Sequence, residues 1–137
     1  MGMLFESMLV GVPAFLTYFI ATLAMVVLFL AIYIRITPYP ELVLIREGNL
    51  AAAWSLSGAL FGFVVPLAHS VAQSVNLLDM LSWGAVAFVV QLLVYAGVRV
   101  TMPGIVTGIP EGKVAHGLFL GAMSLAAGML NAACMTY

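Results

Sequence analysis

The sequence predicts an all-α integral membrane protein of four transmembrane helices, built as two parallel tandem helix-pair repeats. Three observations predict it. The 137 residues are 65% apolar and 7% charged, with a mean hydropathy of +1.22, whereas a soluble domain carries about 25% charge. Four stretches without Asp, Glu, Lys or Arg have spanning length. One loop motif occurs twice, 64 residues apart.

The spans are expected at about 12–34, 50–75, 80–98 and 114–136. Each has about the 20 residues that cross a hydrocarbon core as a helix. A helix satisfies its backbone hydrogen bonds internally, and the alternating ten-residue segments of a barrel do not occur. The start, Met1 to Val10, has no basic residue and contains Glu6. It lacks the basic first region of a secretory signal, so the first span is expected to be retained.

Charge sets the expected orientation. Arg35, Arg46, Arg99 and Lys113 all fall in the first and third connections, and the second, around Asn76 to Asp79, has no basic residue. Basic residues collect on the cytoplasmic side, which puts both termini outside the cytoplasm.

The repeat lays Arg35-Ile36-Thr37 over Arg99-Val100-Thr101, and Ile45-Arg46-Glu47-Gly48-Asn49-Leu50-Ala51 over Ile109-Pro110-Glu111-Gly112-Lys113-Val114-Ala115. Matches at Arg, Thr, Glu and Gly mean more than matches among Leu and Val in this composition. Each unit holds two spans, about 12–75 and 80–137, so the copies run parallel and a pseudo-twofold along the membrane normal is expected. Pro38 and Pro40 end the first helix. Glu41 to Glu47 reads as a short amphipathic run at the interface, and its counterpart, with Gly104, Gly108 and Pro110, as non-helical.

Composition excludes several functions. A net charge of −1 gives no basic patch for nucleic acid. Cys134 is the single cysteine, so a thiolate metal cluster cannot form within the chain, and Cys134 reads as a buried apolar side chain. His116 lies near the start of its span and His69 near the far end of its own. One subunit cannot bring them together as metal ligands, so no cofactor is expected.

The run Ile45 to Ala53, followed by Ser57-Gly58-Ala59-Leu60-Phe61-Gly62 and Pro66, and the ending Asn131-Ala132-Ala133-Cys134-Met135-Thr136-Tyr137, resemble the YjfL-like family. These are bacterial inner-membrane proteins with one or two copies of a two-span domain of unknown function. The resemblance implies a bacterial cytoplasmic (inner) membrane address and the tandem architecture, and it brings no catalytic residues. The second copy has Lys113 and His116 where the first has Asn49 and Ala52. Any role of the loop motif Arg35, Arg46, Glu47, Gly48, Asn49, Arg99, Glu111 and Gly112 can therefore belong to one copy alone.

Small and polar residues form stripes at helical spacing: Ser55, Gly58, Gly62, Pro66 or Val65, His69, Gln73 and Asn76 on the second span, and Gly117, Gly121, Ser124, Gly128 and Asn131 on the fourth. Gly58, Gly62, Gly117, Gly121 and Gly128 are read first as helix-packing positions; a lined cavity is the sharper reading. Gln91 falls roughly 12 Å into the third span, at the depth of Ser57, Gly58 and Ser124, and reads as an interhelical hydrogen bonder. His69 and Asn131 share an outer layer and are expected to pair, with a proton role for His69 as the alternative. Tyr18, Trp54, Trp83 and Tyr137 read as interfacial anchors.

No carboxylate lies in the spans, and Ser70 points away from His69 on the helix, so an enzyme is not expected. Two functions remain. The first is a structural or partner-binding membrane component in a lipid bilayer, homo-oligomeric and working with a peripheral protein on the cytoplasmic side, with envelope stress as its setting. The second is a small oligomeric channel or transporter using His69, Gln91 and Asn131.

Overall fold

A computed structural model describes residues 1–135. The chain forms α1 (Gly2–Ile36), α2 (Glu41–Arg46), α3 (Leu50–Gln73), α4 (Leu77–Thr101), α5 (Ile105–Gly108) and α6 (Val114–Cys134), with no strand among the described residues. Helices α1, α3, α4 and α6 are long and apolar enough to cross a membrane. Thr136 and Tyr137, the expected end of the fourth span and an expected anchor, lie outside the described residues.

The first helix starts ten residues before the apolar run that marks its span. Residues 2–11 contain Met, Leu, Phe and Glu, all compatible with a helix, and no stop signal. Pro13 sits inside α1, where its missing N–H leaves the Leu9 carbonyl without a helical donor. At 35 residues α1 is roughly 52 Å long, against about 30 Å of hydrocarbon. A groove lined by Gly11, Phe15, Tyr18, Val71 and Ser74 sets the Gly11–Tyr18 stretch level with the end of α3. The residues before Gly11 project past the bundle, and every side chain from Met1 to Thr17 is exposed.

The bundle is organised around α3 and α6, its most extensive helix pair. Lipid tails are as apolar as leucine, so burial does not drive helices together in a membrane. Close backbone approach and hydrogen bonds do. The glycines supply that approach: a Cβ on Gly58 would fall on the Gly121 backbone, one on Gly117 on the Ala51 carbonyl, and one on Gly128 on the Gly62 carbonyl. Pro66 is the residue that cannot donate to that Gly62 carbonyl, and a residue with a side chain at position 128 could not come so near it.

Aromatic side chains join α1 and α4 to α3. The Phe29 ring stacks on Phe63 with centroids 4.5 Å apart and meets Phe88 edge-on at 5.5 Å. Tyr33 continues the ladder 5.5 Å from Phe29 and meets Tyr95 edge-on at 5.6 Å. On the opposite side the α3–α4 turn is fixed by its own polar groups. Asn76 caps α4 by accepting from the Asp79 N–H at 2.8 Å, and the Ser70 hydroxyl donates to the Met80 carbonyl at 3.1 Å.

The two loops at the other end share one turn geometry. Gly48 has φ +86° and Gly112 φ +80°. The Gly48 N–H donates to Ile45 O and that of Asn49 to Leu44 O; 64 residues on, Gly112 donates to Ile109 O and Lys113 to Gly108 O. Both are Schellman closures, which need a left-handed residue just past the helix and take glycine there. The second loop therefore is helical for one turn, contrary to its glycine- and proline-rich sequence. Ile105 and Ile109 are fully buried and hold that turn against the bundle, while Gly104 and Pro110 stand at its two ends.

Candidate functional site

The most unusual chemistry of the chain gathers where α1, α2, α3 and α4 meet. Pro38 and Pro40 break the chain after α1, and the short α2 packs back onto α3. This turn points Glu41, the first residue of α2, inward: it is fully buried, while Leu42 and Val43 are exposed. The run 41–47, read from sequence as amphipathic at the interface, thus turns one carboxylate inward: Glu41 is buried together with the half-buried Leu44 and Ile45, while Leu42, Val43, Arg46 and Glu47 are exposed.

Tyrosines surround Glu41. Tyr33 of α1 and Tyr39 of the loop carry hydroxyls that feel its charge, and Tyr95 of α4 belongs to the same electrostatic cluster. Five buried polar atoms in this cluster have no hydrogen-bond partner among the described residues: both Glu41 carboxylate oxygens and the hydroxyls of Tyr33, Tyr39 and Tyr95. Ser55 of α3 is buried beside Tyr39, but its hydroxyl donates to its own helix at the Ala52 carbonyl, 3.0 Å away. Burial pushes the Glu41 carboxyl up to about 8, and the neighbouring Tyr39 hydroxyl offsets only part of this. Burial and the Glu41 charge also raise Tyr39, so its phenol stays protonated.

Sequence reasoning missed this cluster, although the comparison of the two loops held a signal for it. At the 64-residue offset Glu41 lies over Ile105, and Ile105 is equally buried. A carboxyl thus stands where the other loop has an isoleucine. Three of the five tyrosines of the chain collect around it.

The residues singled out from sequence fall in three places. Gly58, Gly62, Gly117, Gly121 and Gly128 all meet backbone across the α3–α6 seam. Gln91 is fully buried and its Nε2 donates to the Ser124 carbonyl oxygen at 3.0 Å, linking α4 to α6. A Cβ on Gly62 would sit 2.7 Å from that same Nε2, so Gln91 reaches the seam where Gly62 leaves room for it. Asn131, near the other end of α6, has a buried Nδ2 with no hydrogen-bond partner among the described residues, and His69 is half-buried on α3. Cys134 is exposed rather than buried, and Ala132 is the buried residue of the last turn of α6.

The loop motif forms one surface. Asn49 caps α3 by accepting from the Ala52 N–H at 3.0 Å, and its Nδ2 donates to the Ile109 and Pro110 carbonyls of the other loop at 2.9 and 3.3 Å. Lys113, at the matching position, provides no side-chain cap. It pairs instead with Glu111 at 3.4 Å on the exposed surface. His116, 64 positions after Ala52, lies over Gly108, which has no side chain to hinder it. Arg35, Arg46, Glu47 and Arg99 are exposed around this joined platform. No group of three or more metal-ligating side chains occurs among the described residues.

A four-span helical bundle with a sealed small-residue seam and two linked loops is a polytopic membrane protein. Residues 7–135 match the family model described as Domain of Unknown Function (DUF350), and the chain belongs to that family. It is 46% identical over 124 residues to UPF0719 inner membrane protein YjfL of Escherichia coli strain K12, covering 90% of this chain and 94% of that protein. The YjfL protein of E. coli O157:H7 matches equally. UPF0719 transmembrane protein YshE of Bacillus subtilis strain 168 is 37% identical over 90 residues, 66% of this chain and 65% of that one. No solved structure matches the chain.

Proposed function

We propose that this protein is a structural, partner-binding component of a bacterial inner membrane that offers its joined loop platform to a peripheral protein on the cytoplasmic side. The bond from Asn49 to the Ile109 and Pro110 carbonyls carries this reading. It fixes two charged loops, far apart in sequence, as one surface bearing Arg35, Arg46, Glu47, Arg99, Glu111 and Lys113. Ordered backbone beneath solvated charges lowers the entropy lost when a partner docks. The basic residues of that surface support the cytoplasmic placement and both termini outside. The names of the E. coli relatives support the inner-membrane address.

The alternative, a small oligomeric transporter, is supported by the buried Glu41, since an ionisable group enclosed near a membrane is costly and commonly functional. Packing at the glycine stripes weighs against it, because α3 and α6 close on each other where a path between them would run. Photo-crosslinking side chains placed at Arg46 and Glu111 in intact cells separate the two. A single stoichiometric soluble adduct at both positions, lost in Asn49→Ala, supports the platform. Ion flux in liposomes holding only this protein, without any adduct, overturns it.

A further inference from the structure

The geometry points to a second element of the platform: Glu41 is a proton-binding site that latches α2 onto the bundle, releasing the first loop when its carboxyl loses the proton. The inference adds regulation to the platform, yet it stands on the burial of Glu41 and is tested apart from any partner.

Three features of the fold carry it. Glu41 is fully enclosed, neither carboxylate oxygen has a hydrogen-bond partner among the described residues, and the Tyr39 hydroxyl beside it gives an anion only partial support. An ionised carboxylate without donors or a cation is among the costliest groups to bury, while a protonated carboxyl is far cheaper. The elements packed around it offer phenols and a hydroxyl, and no cation among the groups that act on its carboxyl. Helix α1 presents the Tyr33 phenol, the connecting loop Tyr39 and α4 Tyr95, while the Ser55 hydroxyl of α3 lies beside Tyr39. The Arg99 guanidinium is exposed; it acts on Tyr39 and Tyr95 and not on Glu41. Arg35 and Arg46 are exposed as well. The Tyr39 hydroxyl offsets part of the cost of an anion here, and no cation of the cluster neutralises it.

The second feature is position. Glu41 opens a helix of only six residues, held between a two-proline turn and the Gly48 closure. Such a helix has little stability of its own and depends on docking. The matching place in the other loop is filled by Ile105, which holds α5 down at any pH. The same architecture thus has one latch that cannot titrate and one that can. The third feature is the titration range: burial brings the carboxyl to about 8, within reach of cytoplasmic pH changes.

The full chain is measured in nanodiscs by infrared spectroscopy from pH 5 to 9.5, with Glu41→Gln as reference, since glutamine imitates the protonated acid in shape. The wild type should show a protonated-carboxyl band at pH 7 that fades with a midpoint near 8 and is missing from E41Q. Hydrogen exchange, expressed as protection relative to the free-peptide rate at each pH, should drop at least tenfold over residues 41–46 across the same midpoint. It should stay level in E41Q and over residues 105–108 of both proteins. A band absent at pH 7, or one equally present in E41Q, overturns the proton site. A fading band with unchanged protection over α2 overturns the latch. A midpoint that moves with sodium or potassium concentration at fixed ionic strength means a cation, not a proton, is the occupant, and that also overturns the proposal. Loss of the crosslinked partner alters none of these readings, so the platform and the latch fail separately.

Discussion

The Gln91 side chain donates its amide hydrogen to the backbone carbonyl of Ser124, 33 positions away in sequence and 3.0 Å away in space. It does so directly above Gly62, whose missing side chain leaves the room. Three helices meet at this point, α4 through the amide, α6 through the carbonyl and α3 through the glycine. Gln91→Leu should lower thermal stability in detergent by about 1 kcal/mol, since such bonds between membrane helices contribute roughly 0.6–1.7 kcal/mol. Val89→Leu, on the exposed side of the same helix, should leave the melting temperature unchanged. Equal melting of Q91L and wild type would mean the bond contributes nothing.

The glycine seam gives a sharper contrast. Gly62→Leu places a branched side chain against the Ser124 backbone, and Gly128→Leu one against Gly62. Neither backbone can yield without separating α3 from α6. Both variants should lose several kcal/mol, as overpacked cores do by about 1–3 kcal/mol even in milder cases, and should be degraded in cells. Gly97→Leu, with nothing within 4 Å of its Cβ direction, should accumulate normally. The seam lies inside one chain, so the loss should appear in the monomer's melting curve before any change in oligomer. Full-size accumulation and wild-type melting of G62L would refute the seam.

Asn49 tests the link between loops. Asn49→Ala removes the α3 cap and both bonds to the second loop, and should cost about 1–2 kcal/mol. Asn49→Asp keeps the acceptor for Ala52 and lacks the donor for Ile109 and Pro110, so it separates the two roles. Protease sensitivity should rise at both loops in N49A and N49D, and the helix start should weaken only in N49A. Increased cleavage confined to the first loop would show that the loops are not coupled.

Orientation is open to a direct measurement. A reporter active only outside the cytoplasm should work when inserted near Asn76 and fail near Glu47 or Glu111. Activity at Glu111 with silence at Asn76 would invert the bundle and place the loop platform outside.

Much of this bundle was legible because membrane helices announce themselves by length and missing charge. The packing glycines were legible for the same kind of reason: spacing of three and four on one face needs no tertiary information. The α5 turn was hidden, since Gly104, Gly108 and Pro110 argue locally against a helix and only the burial of Ile105 and Ile109 decides for it. Glu41 was hidden more deeply. A glutamate in a loop ordinarily faces water, and a six-residue helix has too few turns for its pattern to say which face is inside. The extra ten residues of α1 were missed because Glu6 and Ser7 interrupt hydropathy without interrupting the helix.

The last prediction is the pH dependence of stability. The Glu41 carboxyl lies at an ordinary value of 4.5 when free and about 8 when folded, raised by burial. Below 4.5 it is protonated in both states and contributes no pH dependence. Between those values the folded chain holds a proton that the unfolded chain has released, so each step up in pH favours unfolding. Above about 8 both states are ionised and the loss levels off. Melting temperature should therefore fall steadily from pH 5 to 8 and then flatten, with a total loss on the order of a few kcal/mol before any release of α2 relieves it. Glu41→Gln should flatten the curve and melt above wild type at pH 8.5, with the two proteins converging near pH 5. Glu41→Ile, which copies the second loop, should do the same without a hydrogen-bonding side chain. A wild-type curve that is flat from pH 5 to 8, or that rises, would contradict a buried acid held neutral by the fold.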